Sequence, residues 1–98
     1  MWAMNPFFED LAARFQRAAE RRGLDIPPAE LDATVALELL ELARVAAHTQ
    51  ERRFAPLASF MAGVSTERVR TAGGAADSDS VAEMIREVRL EIEREPPI

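Results

Sequence analysis

The sequence predicts an all-α fold, a compact bundle of three to four helices with a long second helix at its centre. Apolar residues recur at helical spacing in four separate segments, no segment alternates with the period of two that marks a strand, and Gly or Pro stands between successive segments. No internal repeat appears at solenoid spacing. Ninety-eight residues are expected to form one domain over residues 1–98, and a chain of this size buries roughly two thirds of the surface that its unfolded form exposes.

The first helix is predicted over about residues 6–22. Asn5-Pro6 supplies an N-cap and a first-turn proline, and Phe7, Phe8, Leu11, Phe15, Ala18 and Ala19 follow at helical spacing up to a stop at Gly23. Glu9 and Asp10 near its start and Arg21 and Arg22 near its end suit the helix dipole. Ahead of it, Met1-Trp2-Ala3 precedes a second Met4 that offers an alternative start, and Trp2 either packs on the domain or is exposed. The second helix is predicted over about 29–52, because Pro28 can begin a helix and nothing from Ala29 to Arg52 breaks one. Leu31, Val35, Leu39, Leu42, Ala43, Ala46 and Ala47 cover about half of its circumference, which calls for neighbours on more than one side.

Pro56 restarts the chain into a third helix, about 56–69, whose apolar positions Leu57, Phe60, Met61 and Val64 stand at i, i+3, i+4 and i+7. Residues 71–80, with Gly73-Gly74 and alternating Ser and Asp, have the composition of a flexible, exposed connector. Ser80 and Glu83 then form a capping-box spacing ahead of a fourth helix, about 81–94, that ends before Pro96-Pro97 and the tail 96–98.

Composition narrows the classes of function. Hydrophobic residues are 48% and charged residues 30%, the balance of an ordinary folded domain, and all twelve basic residues are Arg. A net charge of -5 works against nucleic acid, and no aromatic residues interleave the Arg14, Arg17 and Arg21 stripe of the first helix, which reads as a solvated face. The absence of cysteine excludes disulfides, thiolate metal sites and Cys nucleophiles. No apolar run approaches the ~20 residues needed to cross a bilayer, so neither a membrane nor a secretory route is expected and the cytoplasm is the predicted location.

The one compact set of candidate binding residues is Glu41, Arg44, His48 and Arg52, spaced three, four and four apart on the second helix. Two guanidinium forks and an imidazole suit a phosphate or carboxylate, and Glu41 can pair with Arg44 or orient His48. The plainer account is a row of solvated i,i+3 and i,i+4 pairs, each worth only a few tenths of a kcal/mol. His48 is the sole histidine and has no Cys or second His at ligand spacing, so no metal, no cofactor and no catalytic residue is expected. On the fourth helix Val81, Ile85, Val88 and Ile92 follow the 4-3-4 spacing of a coiled-coil seam that can pack inside the chain or against a second copy. Leu90 points away from that seam and, if exposed, favours a contact between copies.

The central stretch resembles a small bacterial all-helical domain family of unknown function, of the DUF6457 type. The resemblance is carried by Leu39, Leu40, Glu41, Leu42, Ala43, Arg44, Ala47, His48, Arg52, Ala55, Pro56, Leu57, Ser59, Phe60 and Gly63. Departures lie at Arg53-Phe54, where small residues or Pro are more usual, and in the Ser/Asp-rich connector with its extra helix. Members of the family occur alone or joined to the guanylyltransferase that makes molybdopterin guanine dinucleotide, so the resemblance implies an accessory role near molybdenum-cofactor maturation. The expected function is a non-enzymatic interaction module that binds a protein partner through Glu41, Arg44, His48 and Arg52, with His48 making the contact pH-sensitive. The alternatives are a site for an anionic small molecule such as a nucleotide or pterin phosphate, clamped by Arg44 and Arg52, and a purely structural homodimer.

Overall fold

Asn5 and Pro6 start the first helix by two separate devices. Asn5 is extended (φ −71°, ψ 123°) and its side-chain oxygen accepts the Phe7 N–H at 2.8 Å, while Pro6 takes the first helical position, where an N–H has no intrahelical partner to lose. The structure is a computed structural model that describes residues 5–95; the expectations for Trp2 and for the tail 96–98 lie outside the described residues. It contains α1 (Pro6–Glu20), α2 (Ala33–Thr49), α3 (Phe54–Thr71) and α4 (Ser78–Arg94), with no strand among the described residues, and is an all-α bundle. The chain divides into two units, Met1–Ala33 and Thr34–Ile98.

In the first unit α1 ends two residues earlier than the predicted 22, and Gly23 is the reason. With φ 76° it adopts the left-handed backbone that glycine accepts without strain; its N–H bonds to the Glu20 carbonyl and that of Leu24 to the Ala19 carbonyl, both at 2.9 Å. The chain then runs without regular structure to Asp32, and the Gln16 side chain donates to the Ile26 carbonyl at 3.0 Å, tying this segment to α1. Phe7 and Phe8 meet edge to face at 5.2 Å.

The second helix is shorter than the predicted 29–52 at both ends. Pro27-Pro28 disfavour helix in the residues just before them, residues 24–32 have no regular structure, and Asp32 stands immediately before Ala33, the position where a short acidic side chain is favoured. After Thr49, whose hydroxyl donates to the Val45 carbonyl at 2.8 Å, residues 50–53 turn the chain into α3. At 17 residues, against 18 for α3 and 17 for α4, α2 is not the long helix of the three.

In this second unit Leu42 of α2 and Val81 and Ile85 of α4 form a buried cluster, with Val35, Leu39, Ala58, Ala62, Ala76 and Ile92 packed against it. All three helices therefore contribute to one core, but α3 does so with alanines only. Its predicted apolar face is corrected: Leu57, Phe60 and Met61 point away from the core and are 59%, 72% and 68% exposed. Ala58 and Ala62 pack inward instead, because only a small side chain leaves room for the leucine, valine and isoleucines that α2 and α4 bring to the same space.

The connector expected at 71–80 is reduced to residues 72–77, and it is structured rather than loose. α3 runs on to Thr71 and is closed by Gly73 (φ 90°), whose N–H reaches the Arg70 carbonyl at 3.0 Å while that of Gly74 reaches the Val69 carbonyl at 2.9 Å. Ala76 packs on the core. α4 begins at Ser78 instead of 81, because the cap is Asp77 and not Ser80: the Asp77 carboxylate accepts both the Ser80 N–H at 3.3 Å and the Ser80 hydroxyl at 2.6 Å. α3 likewise starts at Phe54, two residues before the predicted Pro56, which is tolerated as the third helical residue because the first N–H groups of a helix have no partner inside it.

Candidate functional site

The structure brings some of the predicted binding residues together and separates others. Glu41 and Arg44 are one turn apart on α2, with Arg44 Nη2 3.0 Å and Nε 3.3 Å from Glu41 Oε1. Arg44 Nη2 also lies 3.5 Å from Glu93 Oε2 of α4. His48 is exposed one turn farther along α2. Arg52 falls beyond the end of α2, in the turn 50–53, so it does not share the helical register of the other three.

Arg44 belongs to a charged clasp that the sequence alone did not reveal. Across it, Arg89 of α4 donates from Nη1 to Glu93 at 2.7 Å and from Nη2 to Glu38 of α2 at 3.5 Å. Arg89 is its most enclosed member, its side chain 14% exposed, and its Nε has no hydrogen-bond partner among the described residues. Glu38 and Arg44 thus hold α4 from two positions on α2. The hydrogen bond from Arg44 holds the Glu41 carboxyl below the usual carboxylate range, and the same bond raises Arg44. Three carboxylates face two guanidiniums in this clasp, so it has no surplus positive charge with which to take up an anion.

Beside the clasp lies an apolar feature that the sequence reading passed over. At about 100° per residue, Leu37, Leu40, Glu41, Arg44 and His48 share one face of α2, opposite the core-facing Leu42. Leu37 and Leu40 are both exposed there. The signal was present: once Val35, Leu39, Leu42 and Ala46 are assigned to the core, these two leucines are left on the other side.

The predicted seam on α4 is largely taken up inside the chain. Val81 and Ile85 are buried in the core cluster, Ile92 packs against it, and only Val88 is exposed; Leu90 is half-buried. On α3, an open groove of about 630 Å³ is lined by Phe60, Gly63, Val64, Glu67, Arg68, Thr71 and Ala72. Among the described residues no group of three or more His, Cys, Asp or Glu side chains is placed to hold a metal ion, and no helix is long and apolar enough to cross a membrane. No curated protein and no solved structure matches the chain significantly. The domain of unknown function DUF6457 matches residues 1–97, nearly the whole sequence, and the chain, all-helical as its central motif implies, belongs to that family.

Proposed function

We propose that this protein is a non-enzymatic, cytoplasmic interaction module that docks a protein partner through the outer face of α2 and serves molybdenum-cofactor maturation. The observation that carries the reading is the pairing of exposed Leu37 and Leu40 with Glu41, Arg44 and His48 on one helix face. An apolar centre edged by charged and hydrogen-bonding groups is the usual build of a protein interface. The clasp from Glu38 and Arg44 to α4 fixes this helix, so the face is presented without a large ordering cost. The link to the cofactor rests on the family resemblance of the central motif, and it names the partner to try first, the molybdenum-cofactor guanylyltransferase of the same organism.

The test is a calorimetric titration of that enzyme with the full chain. Wild type is expected to bind, and Leu40→Glu and His48→Ala each to weaken binding by roughly tenfold, the loss typical of an interface anchor. Leu40 and His48 are both exposed, so neither change should disturb folding, which circular dichroism checks. Absence of binding by the wild type would remove the cofactor link, and full affinity in both variants would move the interface off α2. The anionic-ligand reading is weaker, because a phosphate would have to displace Glu41 and Glu93 from Arg44, and Arg52 stands outside the helix that would pre-align the two arginines.

A further inference from the structure

We infer that the C-terminal half of α4, residues 86–94, is a strap that parts from α2 as a unit while the first half of the helix stays in the core. Different forces hold the two halves. The residues that α4 buries, Val81, Ala82 and Ile85, all lie in its first half, whose start is fixed by the Asp77 cap. None of residues 86–94 is buried: Val88 is 43% exposed, Leu90 and Ile92 are half-buried, and ion pairs to α2 take over at Arg89 and Glu93. Apolar burial supplies most of what holds a helix to its domain, so a half-helix tied mainly by charge is the part that opens at least cost.

The bonding of the clasp lets it part without stranding a charge. Each arginine has its shorter partner on its own helix: Arg89 Nη1 reaches Glu93 at 2.7 Å within α4, and Arg44 Nη2 reaches Glu41 at 3.0 Å within α2. The two links between the helices, Arg89 to Glu38 and Arg44 to Glu93, are both 3.5 Å, longer than an N–H to oxygen hydrogen bond usually is. Separation breaks these long links and keeps both short pairs, so neither guanidinium loses its only counter-charge, the event that makes splitting an enclosed ion pair costly. The closed state also carries a cost that opening removes: Arg89 Nε is shielded without a hydrogen-bond partner among the described residues, and water satisfies it once the strap lifts. Parted from α2, so short a segment has no packing to keep it helical, and Ile92 withdraws from the cluster of Leu42, Val81 and Ile85, baring that edge of the core. α2, with Ala36, Leu42, Val45 and Ala46 buried, does not depend on the strap for its place in the core. The strap needs no partner at the outer face of α2, and either can fail alone.

The experiment is native-state hydrogen exchange of the full chain, followed amide by amide by NMR. In the wild type the amides of residues 89–93 are expected to exchange through one common opening, ahead of those of residues 83–86. Plain fraying from the helix end would instead give a smooth gradient and would ignore a change made on α2. Glu38→Gln removes the charge opposite Arg89 and is expected to quicken exchange at 89–93 by about threefold, the effect of a weak ion pair, while leaving 83–86 unchanged. Glu38→Leu combined with Arg89→Met replaces the long pair and the unpartnered donor with apolar side chains, and is expected to slow exchange at 89–93 by about tenfold. Equal protection along the whole of α4, a smooth gradient that Glu38→Gln does not move, or faster exchange at 89–93 in the double variant would each overturn the strap.

Discussion

α3 and α4 are nearly equal in length, 18 and 17 residues, and share one core, yet they use their large apolar residues in opposite ways. α4 turns Val81 and Ile85 inward and shows a charged face that includes Glu83, Arg86, Glu87 and Glu91, whereas α3 turns Ala58 and Ala62 inward and shows Leu57, Phe60 and Met61. Helical periodicity identifies both as helices with an apolar stripe. It does not say which stripe meets the core, because that depends on the volume left by the neighbours, and with Leu42, Val81 and Ile85 in place only small residues fit the third side. A strong stripe on one helix can thus belong to the core while a similar stripe on the next is left exposed.

The sharpest way to break the comparison is to truncate one large residue on each helix. Ile85 is 4% exposed, and Ile85→Ala is expected to cost about 2–5 kcal/mol in urea unfolding, a large part of the stability of a domain this small. Phe60 is 72% exposed, and Phe60→Ala should cost less than about 0.5 kcal/mol, as for a surface substitution. Equal losses from the two would mean that α3 also buries its large face within the monomer.

A smaller effect is expected where the two helices are joined. Gly73 has φ 90°, and Gly73→Ala places a side chain in that left-handed backbone at a cost of about 1–2 kcal/mol. A loose connector would tolerate the change, so unaltered stability would restore the flexible segment that the composition suggests.

The smallest effect is expected from the cap of α4. Hydrogen bonds from Ser80, the side-chain one first, hold the Asp77 carboxyl below its ordinary value. A group whose folded value is depressed contributes stability that is present above the unfolded carboxylate range, about pH 4, and lost as the pH falls through the lower folded value. Asp77→Ala should therefore lower the melting temperature at pH 7 by less than Ile85→Ala does, and the gap from wild type should close as the pH is brought toward about 2. A gap that persists unchanged in acid would show that the carboxylate charge is not what caps the helix.

The legible part of the fold was what local chemistry decides: Asn5-Pro6 as a start, Gly23 as a stop, and four helical periods. The boundaries that shifted did so through choices between near-equivalent groups, as when Asp77 rather than Ser80 capped α4 and Asp32 rather than Pro28 preceded α2. The pairing of Glu41 with Arg44 could be read from their i,i+3 spacing. The reach of Arg44 to Glu93, and of Arg89 to Glu38 across 51 positions of sequence, could not, since nothing local encodes which helices lie side by side.

The Arg89 Nε offers a probe of that tertiary contact. The nitrogen is shielded from water and has no hydrogen-bond partner among the described residues, while Arg14, Arg44, Arg53 and Arg70 engage their Nε groups with carboxylates on exposed side chains. Among the guanidinium resonances of the twelve arginines, the Arg89 Nε–H should be a slowly exchanging signal whose disappearance reports the parting of α4 from α2 before the helices themselves melt.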